Sequence, residues 1–74
     1  PELAVEVRSP SDAWTDLFAK AEENFDTGVD VVLLIDPDRR VVAACRPGPV
    51  QVDLGVADTL TLPDISMPVA RLFE

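Results

Sequence analysis

A carboxylate and an amine near the start of the chain could together hold a metal ion and a phosphate group. The carboxylate is Glu6, which falls in a stretch where apolar and polar residues alternate, and the amine is Lys20. Alternation with a period of two is typical of a β-strand with one buried face. The pattern predicts a core face made by Leu3, Val5 and Val7. Glu6 then lies on the opposite face, which is available for chemistry.

The element that must position Lys20 is an amphipathic helix. Ser9-Pro10-Ser11-Asp12 is typical of a helix start, because serine caps free N–H groups, proline is tolerated in the first turn and aspartate favours the positive end of the helix dipole. Apolar residues then recur at helical spacing, at Trp14, Leu17, Phe18, Ala21 and Phe25. Gly28 is expected to end the helix. Lys20 falls on the flank of the apolar stripe, where its amine can lean toward the edge of a sheet.

The remainder of the chain predicts further strands. The apolar run 29–35 favours a second strand, parallel to the first because a helix connects them. Asp36-Pro37-Asp38-Arg39 favours a turn, followed by strands over 40–46 and 50–54. Prolines 63 and 68 are expected to break the rest into irregular pieces, and 66–74 to close with a helical turn capped by Ser66. The predicted fold class is α/β, a mixed β-sheet with flanking helices.

Length and charge limit the classes of protein to consider. A chain of 74 residues buries little apolar surface, so we expect a single partial domain over residues 1–74 that lacks its N-terminal strands. The absence of a run of about 18 apolar residues and of a leader predicts a soluble, cytoplasmic protein with no membrane partner. The net charge of −8 opposes DNA binding through charge alone. Acids in the predicted turns, Asp36 among them, are expected to be solvated surface.

Residue types also exclude several kinds of site. The chain has no histidine and a single cysteine, Cys45, which excludes the usual zinc sites, a serine hydrolase triad and an internal disulfide. Ser9 and Ser11 are therefore interpreted as turn and capping residues. Carboxylate chemistry with a hard metal ion remains.

Several strings of the sequence resemble a known family. PELAVEVRSPSD, then Lys20, GVDVVLLIDPDRRVV and the RPG that follows resemble the C-terminal half of the Uma-type putative restriction endonuclease family, a branch of the PD-(D/E)xK nuclease superfamily. The features of the family pattern occur along this chain in the family's order, at Pro1, Glu6, Ser9 to Ser11, Lys20, Gly28-Val29 and Asp36-Pro37. The resemblance implies a restriction-endonuclease-like core, in which acids from neighbouring strands bind magnesium and a lysine assists the attacking water.

The resemblance also implies roles for individual residues. Glu6 corresponds to the second acidic ligand of Mg²⁺ and Lys20 to the catalytic lysine, supplied here from the helix. Arg8 stands at the usual lysine position, and because its guanidinium stays protonated we expect it to contact substrate phosphate and not to accept a proton. The first metal ligand, an aspartate, is expected on a strand upstream of this chain.

Two functions are compatible with these residues. The resemblance implies a Mg²⁺-dependent endonuclease that hydrolyses DNA phosphodiester bonds. The alternative is an inactive nuclease-fold remnant that serves as a structural or dimerisation module. At three positions where the family commonly has aromatic residues, this chain has Asn24, Leu33 and Cys45. These departures favour the alternative. In that alternative the hairpin edge and the apolar strand 31–35 could pair with a second copy to form a homodimer.

Overall fold

The fold is built on a strand-helix-strand unit that is extended by two hairpins. The computed structural model describes residues 2–48 and 50–74, so Pro1 and Pro49 of the sequence patterns lie outside the described residues. The elements in chain order are β1 (Leu3–Val7), α1 (Trp14–Asp26), β2 (Val31–Asp36), β3 (Val41–Arg46), β4 (Val50–Leu54), β5 (Thr59–Leu62), β6 (Ile65–Pro68) and a 3₁₀ helix (Val69–Phe73).

Strands β1 to β4 form one mixed sheet in the order β1-β2-β3-β4. β1 runs parallel to β2, whereas β2–β3 and β3–β4 are antiparallel. The predicted mixed sheet and the parallel first pair are therefore confirmed. Because β2 is hydrogen-bonded on both sides, residues 31–35 offer no free edge to a second copy, and that route to a homodimer is wrong.

The two faces of the sheet are covered differently. α1 packs on one face, where Leu17 and Ala21 contact Val32 and Leu34 in a buried cluster. The other face is covered by the β5–β6 hairpin and the 3₁₀ helix. Between them and the sheet lies a second buried cluster, made by Val31, Leu33, Val42, Leu60 and Val69. The prediction of flanking helices is corrected here, since one α-helix is present in the described part of the chain and a hairpin covers the second face.

The segment 59–68, expected to be irregular, forms this second hairpin. Leu60 pairs with Met67, and Leu62 with Ile65, across a turn at Pro63-Asp64. Proline interrupts a strand interior because it has no N–H to donate, but it is tolerated in a turn or at a strand end. Pro63 and Pro68 occupy those two kinds of position, so they delimit the hairpin and do not prevent it.

The period-two pattern of β1 is confirmed, but the predicted choice of core face is wrong. Ala4 packs against the cluster under α1, whereas Leu3, Val5 and Val7 are 42%, 50% and 58% exposed. Alternation identifies two faces of a strand without saying which one is covered. The small side chain of Ala4 allows the helix to approach, and the three larger residues lie on the hairpin side at the edge of the sheet.

Neither helical segment begins at the serine that was expected to cap it. α1 has Ala13 at its N-cap with no side-chain cap hydrogen bond, and the 3₁₀ helix follows Pro68, again without one. Gly28 has a φ of 98° just after α1, as expected of a glycine that ends a helix. Among residues 2–48 and 50–74, no helix has both the length and the apolar character required to span a bilayer.

Candidate functional site

Glu6 lies on the helix-covered face of the sheet, close to the end of β1. It is in register with Leu34 of β2, which packs in the cluster under α1. Residues that are directly in register on neighbouring strands project to the same face, so the carboxylate points into the layer that contains α1. Glu6 is partly exposed, and its carboxylate therefore remains accessible to a ligand.

Lys20 lies on the exposed flank of α1 that is turned toward β1. The other flank, with Phe18 and Phe25, borders a groove of about 450 Å³ over β3 and β4 that Cys45 also lines. At 3.6 residues per turn, Lys20 is rotated roughly 200° from Phe18 about the helix axis, which places it on the opposite flank. Glu6 and Lys20 therefore lie on the same side of the sheet.

Asp12 marks the place where two cations come near the same carboxylate. Its Oδ2 accepts hydrogen bonds from the backbone N–H of Ser9 (2.9 Å) and from the Ser9 hydroxyl (3.1 Å). These two bonds, the backbone one first, hold the pKa of Asp12 below its ordinary value of 3.8, and the charges of Lys20 and Arg8 lower it further. The turn between β1 and α1 therefore lies within electrostatic range of one cation from each element.

This geometry predicts a response of Asp12 to the loss of Lys20. Lys20→Gln should raise the pKa of Asp12 toward 3.8, whereas Arg71→Gln, on the distant 3₁₀ helix, should leave it unchanged. Because the pKa is lowered by folding, the Ser9–Asp12 turn contributes its stability above pH 3.8 and loses it as the pH falls through the lowered pKa. Carboxyl ¹³C NMR titration measures the shift. An equal response to both substitutions would contradict the position of Lys20.

Arg8 is held against the protein by two contacts. Its Nη1 lies 3.7 Å from Oδ2 of Asp36, and its guanidinium carbon lies 5.6 Å from the centroid of the Trp14 ring. Asp36 is fully buried, and its Oδ1 accepts hydrogen bonds from the backbone N–H groups of Asp38 (3.0 Å) and Arg39 (3.3 Å). The Arg8 side chain retains 17% exposure, so part of it can still be reached by solvent.

The prediction that Asp36 is a solvated turn residue is wrong. Asp36 is the last residue of β2, in register with Val41, and its carboxylate folds back onto the following turn. A signal for this was present, because an aspartate between a continuous apolar run and a proline is typical of a side chain that accepts bonds from its own turn. The Arg8–Asp36 contact links the ends of the two parallel strands beside the candidate site.

Glu6 is the predicted metal ligand. Among the described residues, no group of three or more His, Cys, Asp or Glu side chains is arranged to hold a metal ion. Mg²⁺ is commonly bound through one or two carboxylates, with water and substrate oxygens as the other ligands. Glu6 is a carboxylate of the kind that supplies one ligand of such an ion.

Comparison with known proteins places the chain in a family. A model of the family Uma2, described as "Putative restriction endonuclease", matches residues 1–70. The chain belongs to the Uma2 family. Glu6, Arg8 and Lys20 all fall in the part of the chain that the Uma2 model matches. A search of curated proteins finds no match to this Uma2 chain.

A solved structure has the same fold as this member of the Uma2 family. It is described as a putative nuclease belonging to DUF820 from Anabaena variabilis ATCC 29413, and it matches with a TM-score of 0.84 at 22% sequence identity. The match covers 99% of this chain and 44% of the Anabaena chain. The two proteins therefore share a nuclease-like fold over this region, and the Uma2 chain spans less than half the length of that relative.

Proposed function

We propose that this chain supplies Glu6 and Lys20 to a Mg²⁺-dependent endonuclease that hydrolyses DNA phosphodiester bonds. The observation that carries the proposal is that Glu6 and Lys20 lie on the same side of the sheet in a chain of the Uma2 family. A carboxylate can hold a hard cation there, and an ammonium group can face the oxygens of a phosphate.

Each residue has a separate task in this proposal. Glu6 holds Mg²⁺, which when bound polarises the scissile phosphate and activates water. Lys20 presents three N–H donors from an exposed position, where they align the attacking water and stabilise negative charge that develops on the phosphate. Arg8 adds positive charge at the end of β1, and its contact with Asp36 keeps the guanidinium in a defined position.

Because the chain is acidic overall, DNA binding in this proposal depends on a few individual cations near the site. The chain carries a formal net charge of −8, which repels a polyanion at long range. Lys20 and Arg8 both act on the carboxylate of Asp12, so the two cations proposed to contact phosphate lie near the same turn. Binding by these few contacts should weaken as salt rises.

The test is cleavage of supercoiled plasmid by the full-length gene product. We expect nicking with Mg²⁺, no nicking with excess EDTA, and recovery when Mg²⁺ is restored. Cleavage that persists in EDTA would contradict a metal-dependent reaction. The same preparation should be assayed before and after a final column step, so that an activity that does not follow the protein is recognised as a contaminant.

The inactive remnant remains the second candidate. It is favoured by the acidic net charge and by Asn24, Leu33 and Cys45, which stand where the family commonly has aromatic residues. A full-length protein that neither binds Mg²⁺ in calorimetry nor cleaves DNA would support this candidate over the nuclease.

A further inference from the structure

We infer that a cavity between α1 and strands β3 and β4 binds one unpaired nucleotide of the DNA that the proposed function assigns to this chain as substrate. The cavity has a volume of about 280 Å³ and is lined by Trp14, Phe18, Arg39, Gln51 and Asp53, together with β3. It lies on the helix-covered face of the sheet, near the beginning of α1, and is called the Trp14 cavity below. Its lining combines an aromatic wall, a cation and a polar wall.

The aromatic wall is made by the first turns of α1. The ring centroids of Trp14 and Phe18 are 5.9 Å apart, and the two rings are inclined by 30°. Both side chains are half-buried, because they pack against the cluster under α1 and also line the cavity. Proteins that bind single-stranded nucleic acid stack its bases on aromatic side chains of this kind. The wall therefore suits the face of a nucleobase.

The cation is Arg39, which is exposed in the β2–β3 turn. Its backbone N–H donates to Oδ1 of the buried Asp36 (3.3 Å), so the turn presents its side chain from a fixed origin. The same carboxylate faces Arg8 through Oδ2 (3.7 Å), and the Arg8 guanidinium lies 5.6 Å from the centroid of the Trp14 ring. Guanidinium groups bind phosphate oxygens in a bidentate manner. Trp14 thus contacts one cation and shares the cavity with another.

The polar wall determines which way round the nucleotide lies. Gln51 and Asp53 of β4 are in register with Cys45 and Ala43, which pack beneath α1, so all four side chains project to the helix-covered face. Nε2 of Gln51 donates to Oδ1 of Asp53 (2.7 Å). A carboxylate repels phosphate but accepts hydrogen bonds from the N–H groups of a base. The base therefore lies toward β4, and its phosphate lies toward Arg39.

The size and position of the Trp14 cavity define the form of DNA that can enter it. Its volume of about 280 Å³ is close to the lower limit of about 300 Å³ for small-molecule sites, which suits a single base. A base within a duplex must leave its stack to enter such a pocket, at a cost in free energy. β1 and β3 are two strand spacings, roughly 10 Å, apart, so this nucleotide lies a few positions from the phosphate near Glu6. Single-stranded DNA should consequently bind in this cavity more tightly than duplex DNA.

The test is photo-crosslinking of the full-length gene product to short single-stranded oligonucleotides that carry 5-iodocytosine at each position in turn. The reaction is run in EDTA, so it does not depend on cleavage. Peptide mass spectrometry should locate an adduct at Trp14 or Phe18. At protein concentrations below the dissociation constant, Arg39→Gln should lower its yield about tenfold, because a charged contact to phosphate is lost.

Two controls make the crosslinking specific. Arg71→Gln removes the same charge from an exposed position on the 3₁₀ helix, which covers the opposite face of the sheet, and should leave the yield unchanged. Annealing the complementary strand should lower the yield, since the base is then paired. Circular dichroism checks that both variants are folded.

The results separate this binding site from the proposed nuclease activity. The site would be overturned by the absence of an adduct at Trp14 or Phe18, by equal yields from Arg39→Gln and Arg71→Gln, or by equal yields from single-stranded and duplex DNA. An adduct at Trp14 or Phe18 in a protein that never cleaves DNA would support the site and contradict the nuclease. Cleavage without such an adduct would do the reverse.

Discussion

Glu6→Gln should abolish Mg²⁺-dependent plasmid cleavage, with a loss of at least about a hundredfold in rate. Glutamine keeps the size of the side chain and its place in register with Leu34, but it removes the negative charge that would hold the metal ion. The fold should be unaffected, because Glu6 is partly exposed. Initial rates of nicking at several Mg²⁺ concentrations measure the loss.

Three further variants make this experiment specific. Glu23→Gln removes the same charge from an exposed position on α1 and should leave cleavage unchanged. Lys20→Ala should reduce the rate about a hundredfold. Lys20→Arg should recover part of this loss, because it restores a positive charge but not the compact shape of the ammonium group. Full activity of Glu6→Gln would exclude Glu6 as a metal ligand. Mg²⁺ binding measured by calorimetry on Glu6→Gln gives a readout that does not depend on turnover.

Arg8→Met should lower the free energy of unfolding by about 3 kcal/mol, because it leaves the buried carboxylate of Asp36 without its cation. Methionine preserves much of the apolar stem that packs near Trp14, so the loss is mainly one of charge compensation. Urea unfolding followed by far-UV circular dichroism measures it. The single tryptophan is unsuitable as the only probe, since Arg8 lies against its ring.

A double-mutant cycle separates this pairing from lost packing. Asp36→Asn retains a side-chain oxygen that accepts bonds from Asp38 and Arg39, but removes the charge. The double variant Arg8→Met/Asp36→Asn should be at least about 1 kcal/mol more stable than the sum of the single effects predicts. Arg71→Met, at an exposed position, should change stability by less than about 0.5 kcal/mol. Strict additivity in the cycle would contradict the Arg8–Asp36 pairing.

The strand-helix-strand unit was predictable because its signals are local and agree with one another. The alternation in β1, the helical spacing around Leu17 and the apolar run of β2 each indicate one element, and their order requires a parallel pair. The buried face of β1 was not predictable, since that depends on which side α1 approaches. The β5–β6 hairpin was missed because Pro63 and Pro68 were interpreted as breaks.

The candidate site was predictable to a different extent for each residue. Periodicity placed Glu6 on a distinct face of a strand and Lys20 on the flank of a helix, but neither pattern indicates catalysis, and their assigned roles depend on the family resemblance. Asp36 accepts bonds from its own turn, which is a local pattern, but its contact with Arg8 joins positions that are distant in sequence. Contacts of this kind arise from tertiary packing, so local spacing could not reveal them.

The parallel alignment of β1 with β2 also determines when the candidate site can form during folding. Parallel neighbours are joined only after the intervening crossover has formed, which makes them slow, long-range contacts. Glu6 and Arg8 consequently acquire their fixed surroundings in the same cooperative step that docks α1 and buries Asp36. A peptide that ends before β2 would contain Glu6 and Lys20, the proposed catalytic side chains, and hold neither in place.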